Sequence, residues 1–405
     1  MKHITRRRVL AGAGSLAAAS FVGSRRADAA YGPGVTDKEI KLGTTAVYSG
    51  PASAFGAYGE AQVAFFQMIN DRGGINGRKV NLISLDNAFS PPKALEQTRK
   101  LVESDEVFAI AGSLGTPPNA AISKYLNDAK VPNLFMVSGS ERFNDPKNFP
   151  WIIPLYPSYV AQGEIYGNYI RSQRPNAKVV VLYENDDLGK DYVRGLKKGL
   201  GERSSAMLVA ERSHELSVPS VESVVVELHA TGAEVFVQFT TPKFVAQSIR
   251  KVAALGWKPL QIIASNSTSV AAALAPAGLE NCKGIVSARW EKVVSGAEFE
   301  KDPAVREFRE FAAKYMPRLN LDDQTPVPGV ICAYTIAEVL RRCGNELTRE
   351  NLLKQATSLR AFDVPLLLSG ITLTNSSNDY AAYHAMQIMQ FNGERWGGIG
   401  ELIKI

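Results

Sequence analysis

The side chains best suited to chemistry in this chain stand where predicted strands end, and they are acids and hydroxyls. Acids occupy four such positions: Asp86, Glu184, Asp186 and Asp187. Carboxylates there can serve in acid–base catalysis, but they more commonly start helices and stabilise loops. The sequence contains no G-x-S-x-G elbow, no Walker A loop and no G-x-G-x-x-G turn after a predicted strand. These residues therefore predict binding without a reaction.

Histidine and cysteine are too sparse and too scattered to form a metal site. Beyond the first thirty residues they are His214, His229, His384, Cys282, Cys332 and Cys343. Their spacing matches no zinc or haem motif, so no metal and no cofactor is expected. The last two cysteines share one predicted helix, where eleven residues separate them by about 16 Å, too far for a disulfide. All three are predicted to be buried thiols.

The segment Thr116-Pro117-Pro118-Asn119 has the composition of a helix start, with Thr116 as the cap and proline in the first turn. The predicted strand before it ends at Gly112. This helix therefore begins at the carboxyl end of a parallel strand, the edge at which open α/β sheets bind ligands. Helix starts also favour anions, so a negatively charged group is expected there.

Short apolar runs alternate with helical patterns over most of the chain, which is typical of α/β folds. The predicted strands are 40–46, 80–85, 107–111, 133–137, 178–183, 233–239, 260–264, 284–290, 370–374, 383–391 and 396–405. The predicted helices include 60–70, 188–200, 219–230, 242–255, 303–315, 328–343 and 348–359. Several strands are nearly continuously apolar, as expected of parallel strands that helices cover on both faces.

The series of strands and helices occurs twice, and a proline-rich segment at 149–157 separates the two halves. The predicted fold is α/β, with two Rossmann-like lobes of parallel sheet flanked by helices and joined by three crossover strands. The crossovers are expected near 152–157, 286–291 and 363–371. The N-terminal lobe is predicted to comprise 31–154 and 289–365, and the C-terminal lobe 155–288 and 366–405.

The charge of the chain is concentrated at its start. Of the net +6 over 405 residues, residues 1–30 carry six basic residues against one acid, which leaves 40 basic and 39 acidic residues elsewhere. A nearly neutral remainder argues against nucleic acid as a partner. Residues 1–30 combine arginines 6–8, an apolar stretch too short to span a bilayer and an Ala27-Asp28-Ala29 site. We interpret them as an export signal cleaved near Ala29 or Ala30, of the twin-arginine type or, alternatively, of the general secretory type.

Several short motifs follow one another along the chain, each occurring once. They are Tyr48-Ser49-Gly50-Pro51 with Phe55-Gly56, the turn from Ile69 to Arg78, Asp86-Asn87 with Ser90-Pro91, Gly112-Ser113 with Thr116, and Ser377-Asn378-Asp379-Tyr380 with Phe391-Asn392-Gly393. Together they resemble the type I periplasmic binding proteins of the leucine/isoleucine/valine-binding branch, the extracytoplasmic receptors of ABC importers. The resemblance covers residues 36–400. It implies a periplasmic protein that binds a small solute.

The resemblance also implies which residues hold that solute. In this family, hydroxyls and backbone N–H groups of two loops in the N-terminal lobe bind the ligand carboxylate. Here the matching positions are Leu114 and Thr116 in one loop and Ser138 and Ser140 in the other. A loop of the C-terminal lobe adds Thr240.

The matching position for the acid that binds an ammonium group in the family is Asn266, which is neutral. A buried ammonium without a carboxylate partner is costly. The family's tyrosine is replaced by Leu188, and Phe55 adds another apolar surface. We therefore predict a carboxylate ligand without an amine, such as an aromatic or other hydrophobic acid. If Glu184 or Asp187 substitutes for the missing acid, a branched-chain amino acid is the alternative, and amides or urea are further ones.

Aromatic residues cluster at the first crossover, where Trp151, Tyr156 and Tyr159 could pack on a ligand or stabilise the hinge. Arg289, beside the second crossover, could donate to an anion or lie in solvent. Binding is expected to close the two lobes about the crossovers, so that the closed form engages the permease. The mature chain is expected to be a monomer without stable membrane insertion. An exported sensor subunit is the alternative role, and no catalytic cluster supports an enzyme.

Overall fold

The computed structural model describes residues 31–405, so the predicted export signal lies outside the described residues. The first sheet is parallel and has the order β2-β1-β3-β4-β5. Its strands are β1 (Glu39–Ala46), β2 (Lys79–Asp86), β3 (Ala109–Ala111), β4 (Asn133–Met136) and β5 (Ile152–Pro154).

The second sheet has the order β12-β11-β10-β9-β8-β6-β7 and is parallel except where β11 and β12 join antiparallel. Its strands are β6 (Val179–Glu184), β7 (Leu208–His214), β8 (Val235–Phe239), β9 (Leu260–Ile263), β10 (Val286–Arg289), β11 (Ala385–Phe391) and β12 (Trp396–Lys404).

Helices flank both sheets: α1 (Gly56–Asp71), α2 (Pro91–Arg99), α3 (Thr116–Asp128), α4 (Tyr159–Gln173), α5 (Asp187–Leu200), α6 (Ser204–Met207), α7 (Glu222–His229), α8 (Pro242–Ala254), α9 (Ala275–Ala277), α10 (Leu279–Cys282), α11 (Pro303–Tyr315), α12 (Pro326–Cys343) and α13 (Arg349–Ala356). Every residue of β4 and β8 is buried, because helices cover these central strands on both faces. The two mostly parallel sheets confirm the predicted α/β class.

The chain passes between the two lobes three times. It leaves the first sheet after β5, and returns after β10 to form α11 and α12, which pack against α1. It re-enters the second sheet at β11. Glu291 and Leu367 pair in an isolated antiparallel bridge, so the second and third crossovers lie side by side. These segments join the lobes at the base of the cleft described below.

Helices α4 and α5 of the second lobe pack unusually closely. Their contact is made by glycines spaced four apart, Gly163 and Gly167 on α4 and Gly195 and Gly199 on α5, which therefore fall on one face of each helix. A Cβ on Gly163 would lie 2.3 Å from the carbonyl oxygen of Tyr192. Only glycine permits this backbone-to-backbone approach.

Several elements differ from the prediction, among them α2, which was not predicted. The edge strand β7 and helix α4 were not predicted. Strand β7 is half exposed and carries charged residues, and α4 is interrupted by glycines, so neither has the apolar periodicity that identifies such elements. The predicted strand at 370–374 is instead irregular, and only Leu373 forms a bridge, with Phe362. The three cysteines are buried and free, as predicted.

Candidate functional site

A cavity lies between the two lobes, at the carboxyl ends of the parallel strands of both sheets. It contains about 720 Å³ of unfilled space, including the part open to solvent. Six of the residues predicted to bind a ligand line it: Phe55, Leu114, Thr116, Tyr156, Leu188 and Asn266. We call it the cleft cavity, and its position matches the edge at which open α/β sheets bind ligands.

The loop before α3 builds the N-lobe end of the cleft cavity. Gly115 occupies the capping position of α3 with a φ of 109°, a conformation that favours glycine. Thr116 is the first helical residue and makes no capping bond, so the predicted cap is wrong and its hydroxyl is available for another role. Pro117 and Pro118 have no N–H group. An anion bound at the first turn of α3 must therefore accept its hydrogen bonds from the N–H and the hydroxyl of Thr116.

Ser138 stands behind Thr116 and does not itself line the cleft cavity. The two hydroxyl oxygens are 2.8 Å apart, and the backbone N–H of Ser140 donates to Ser138 Oγ over 3.3 Å. This arrangement lets Ser138 donate to Thr116, which leaves the Thr116 proton free for a ligand. Ser138 thus acts as a positioning residue for Thr116.

Glu184, at the end of β6, is a buried carboxyl on the opposite wall. Its Oε1 accepts hydrogen bonds from Thr240 Oγ1 at 3.2 Å and from Thr241 N at 2.7 Å, while Oε2 has no partner among the described residues. Burial, and after it the charge of Asp186, raises the pKa of Glu184 well above its ordinary value. Asp186 itself caps α5 by accepting from the N–H of Gly189.

Glu291, just beyond β10, is a second buried carboxyl on the cavity wall, and the sequence analysis did not identify it. The sequence feature that could have identified it is its position at a predicted crossover between the lobes. Its Oε1 accepts a long hydrogen bond of 3.5 Å from Gln324 Nε2, and Oε2 has no partner among residues 31–405. Burial raises the pKa of Glu291 to about 8. In the described chain no Lys, Arg or His lines the cleft cavity, so both carboxyls are expected to be protonated at neutral pH when it is empty.

Aromatic rings form the wall of the cleft cavity between its two ends. The ring of Tyr156 packs against Trp290, with centroids 4.7 Å apart, and against Tyr159 at 5.8 Å. The hydroxyl of Tyr156 is 3.1 Å from Ser265 Oγ, which fixes the ring. Trp151, predicted to join this cluster, is buried but does not line the cavity. The body of a ligand thus meets mainly ring faces and edges.

Besides Ser138, three predicted ligand-binding residues lie outside the lining: Ser140, Thr240 and Arg289. Each already has polar partners within the protein. Ser140 Oγ donates to Asp191 Oδ2 over 2.8 Å, and Thr240 Oγ1 is 2.8 Å from His214 Nε2. Arg289 is buried against the second sheet rather than exposed.

The family model described as periplasmic binding protein matches residues 39–395, most of the chain. The chain belongs to the periplasmic binding protein family. This confirms the resemblance drawn from the sequence motifs. A Pseudomonas aeruginosa protein described as "Amino acid binding protein" is 24% identical over 203 residues, 49% of this chain. The match covers 52% of that protein, so the chain spans about half the length of this curated relative.

Solved structures extend the match to the whole fold. A Thermus thermophilus branched chain amino acid ABC transporter protein with bound valine superposes with a TM-score of 0.82, at 18% identity, over 92% of this chain and 98% of its own. A fatty acid ABC transporter substrate-binding protein from Thermomonospora curvata gives 0.76, at 21% identity, over 93% and 95%. At such identities the likeness shows the fold, which is that of the type I periplasmic binding proteins.

Residues 31–405 of this periplasmic binding protein include no helix with both the length and the apolar composition needed to cross a bilayer. The same residues contain no group of three His, Cys, Asp or Glu side chains placed to hold a metal ion. The cleft cavity offers hydroxyls from both lobes, two buried carboxyls and aromatic rings. This set of groups can bind a polar-ended, apolar-bodied molecule.

A buried polar contact joins the two lobes of the binding protein at the edge of the cleft. Asp191 on α5 accepts hydrogen bonds from Ser140 Oγ at 2.8 Å and from the N–H of Glu141 at 2.9 Å. Residues 140 and 141 belong to the first lobe, and α5 belongs to the second. We expect that opening of the cleft breaks both bonds, and that this Asp191 contact therefore favours a closed form.

We expect Asp191→Ala to favour the open form. Hydrogen bonds to a charged group contribute about 1.5–3 kcal/mol each, although water replaces part of this when the cleft opens. The apparent ligand affinity should fall about tenfold, because only the closed fraction binds fully. Small-angle X-ray scattering should show a larger radius of gyration, and titration calorimetry the weaker affinity.

Asp128→Ala is the matched control, because Asp128 is an exposed helical acid paired with Lys124 away from the cleft. It should change neither quantity. Unchanged scattering and affinity in Asp191→Ala would show that this contact does not control closure.

Proposed function

We propose that this chain is the extracytoplasmic solute-binding protein of an ABC importer, which closes its two lobes on a small carboxylate-bearing solute and presents the closed form to membrane permease subunits. It acts in the periplasm as a monomer and releases the solute unchanged. The observation that carries the proposal is the cleft cavity, whose polar groups come from both lobes. Membership of the periplasmic binding protein family supports it.

The proposed ligand is an aromatic or other hydrophobic acid without an amine. Thr116 receives the carboxylate, and Tyr156 and Trp290 pack on the apolar body. Asn266, at the position where the family resemblance leads one to expect an acid for an amine, supplies a neutral amide whose Oδ1 has no partner in the described chain. Protonated Glu184 and Glu291 tolerate a bound anion, since neutral acids do not repel it. The fatty acid transporter structure is a precedent for such a ligand on this fold.

A branched-chain amino acid is the second candidate, and a specific observation favours it. The unpartnered Oε2 of Glu184 could accept a hydrogen bond from an ammonium group once the carboxyl ionises. The valine-bound structure on the same fold supports this candidate. The cavity carries the same net charge of −1 in both cases, because a bound acid leaves both carboxyls protonated, while a bound zwitterion ionises one of them. The two candidates therefore differ in whether one proton is held by a carboxyl group of the protein or by the amino group of the ligand.

The pH dependence of affinity separates the two candidates. An acid without an amine requires protonated carboxyls, so its affinity should be constant below pH 7 and fall as the pH rises through about 8, where Glu291 ionises. Above that pH the fall should approach tenfold per pH unit. An amino acid requires an ionised carboxyl, so its affinity should rise between pH 6 and pH 8.

Titration calorimetry at pH 6, 7, 8 and 9 with benzoate, phenylpropionate, leucine and valine tests both candidates. Glu184→Gln is the informative variant. It should retain an acid ligand and the fall in affinity through about pH 8 that Glu291 causes, whereas it should abolish amino acid binding. Tight leucine binding that strengthens with pH, without any response to the acids, would overturn the first candidate.

A further inference from the structure

A second chamber adjoins the cleft cavity on the side of the second lobe. The two share five lining residues: Ser265, Thr268, Trp290, Glu291 and Gln324. The chamber is about 390 Å³ including the part open to solvent, with room for a group the size of a water molecule. Arg289, Ser295, Asp322 and Met389 complete much of its wall. The N-lobe loop that carries Thr116 does not reach it.

Arg289 is the unusual residue of this chamber, because its side chain is 98% buried. Its Nε and Nη2 donate to Gln387 Oε1 over 3.1 Å and 2.8 Å, and Nη2 also pairs with Glu298 Oε1 at 2.8 Å. A Cβ on Gly398 would lie 2.5 Å from Nη2, so the neighbouring strand leaves space for the guanidinium only because that residue is glycine. The guanidinium is therefore held in place by the second sheet.

One donor of Arg289 remains unused. Nη1 is buried and has no hydrogen-bond partner among the described residues. A buried N–H group of a charged side chain without an acceptor is costly, and native proteins rarely keep one without a role. The neighbouring carboxyl does not satisfy it, since within residues 31–405 no ion pair joins Arg289 to Glu291 at 4.0 Å or less.

Glu291 lines both the cleft cavity and the second chamber. Its Oε2 also has no partner in the described part of the chain. Two polar side chains, each more than nine-tenths buried and each with one atom that has no partner among the described residues, thus line one small chamber that connects to the cleft cavity. An oxygen-bearing group of the ligand would complete both: it would accept from Arg289 and hydrogen-bond with Glu291.

We propose that the second chamber binds a hydroxyl group at the end of the ligand opposite its carboxylate, with Arg289 Nη1 donating to the hydroxyl oxygen and the Glu291 carboxyl forming a second hydrogen bond with the hydroxyl. The inference rests on the proposed function and specifies its ligand class. The ligand is a hydroxylated aromatic acid, whose carboxylate lies at Thr116 and whose ring lies among Tyr156 and Trp290. A hydroxyl suits the chamber because it is small, and because it both donates and accepts.

Matched ligand pairs that differ only by a para hydroxyl test this assignment on the purified protein. The pairs are benzoate and 4-hydroxybenzoate, 3-phenylpropionate and 3-(4-hydroxyphenyl)propionate, and phenylalanine and tyrosine. Titration calorimetry at pH 6.5 should show that the hydroxylated member binds about 10- to 100-fold more tightly in the pair of matching length, the range expected for a hydrogen bond to a charged donor.

Two variants locate the effect. Arg289→Met removes the guanidinium, and Ser295→Leu fills the chamber while retaining Arg289. Each should reduce the ratio of affinities within the pair to about one, and agreement between them excludes misfolding of either as the cause. Arg341→Met, an exposed arginine on α12, is the control and should leave the ratio unchanged.

Equal affinities within every pair that binds would overturn the second-chamber assignment and leave the proposed function standing. A preference that survives both variants would overturn it as well, because the hydroxyl would then lie elsewhere. If no member of any pair binds, the proposed carboxylate ligand class fails, and the second-chamber assignment fails with it.

Discussion

Replacing Thr116 by valine is expected to weaken ligand binding by about 30-fold. Valine keeps the shape of threonine and removes only the hydroxyl, which is the side-chain donor at the N-lobe end of the cleft cavity. A hydrogen bond from a neutral group to a carboxylate contributes about 2 kcal/mol, which corresponds to this loss. Because Pro117 and Pro118 have no N–H groups, no neighbouring donor in the first turn of α3 can replace it. Titration calorimetry measures the change, with whichever acid of the benzoate and phenylpropionate series binds the parent protein most tightly.

Ser138→Ala should produce a smaller loss, since Ser138 orients Thr116 and does not line the cavity. The double variant should lose less than the sum of the two single losses, because the two hydroxyls act through one another.

Thr98→Val is the matched control for these variants. Thr98 is fully buried in α2 of the same lobe, and its hydroxyl has no partner among the described residues. This variant should bind the ligand normally and be at least as stable as the parent protein. If Thr116→Val also binds normally, the ligand carboxylate does not lie at α3, and the proposed orientation is wrong.

Substituting alanine for Gly195 is expected to destabilise the second lobe by about 3 kcal/mol or to prevent its folding. The added Cβ would lie 2.0 Å from the carbonyl oxygen of Val160, a distance that no real Cβ contact shows. The obstacle is backbone in the first turn of α4, so no side-chain rotation can relieve it. The two helices must separate, and the close packing along the whole α4–α5 contact is then lost.

Urea unfolding followed by circular dichroism measures this change. Gly397→Ala is the control, because nothing lies within 4 Å of the Cβ position on this glycine in β12. It should shift the unfolding midpoint little. A Gly195→Ala protein as stable as the parent would mean that α4 and α5 are further apart than described.

The fold was largely predictable, because its signals are local in the sequence. The strands β3, β6 and β8 are largely apolar runs, as expected of strands that are covered on both faces. Strand β7 was not predicted because an edge strand is more exposed to solvent than a central strand and therefore tolerates charged residues. Helix α4 was not predicted because glycine normally disfavours a helix. Its glycines allow close packing against α5, and this contact is not visible in the periodicity of the sequence.

The site was predictable only in part. Leu114, Thr116 and Asn266 follow the ends of strands, and the topology of a parallel sheet brings such positions together. Which of two adjacent residues faces the cavity was not predictable. Thr241 lines it and Thr240 does not, because successive residues of an extended chain point in opposite directions, and a shift of one residue exchanges them.

The sequence alone determined the α/β class and the two-lobe plan, since each depends on composition and on order along the chain. The tertiary structure alone decided the chemistry of the buried carboxyls. Glu184 and Glu291 are 107 positions apart in the chain, and both are ordinary acids until burial beside one cavity raises the pKa of each. Burial and missing partners are properties of the folded protein, because they depend on what distant segments place around a side chain. The same reason makes Arg289 a buried donor, where its sequence context allowed an arginine in solvent.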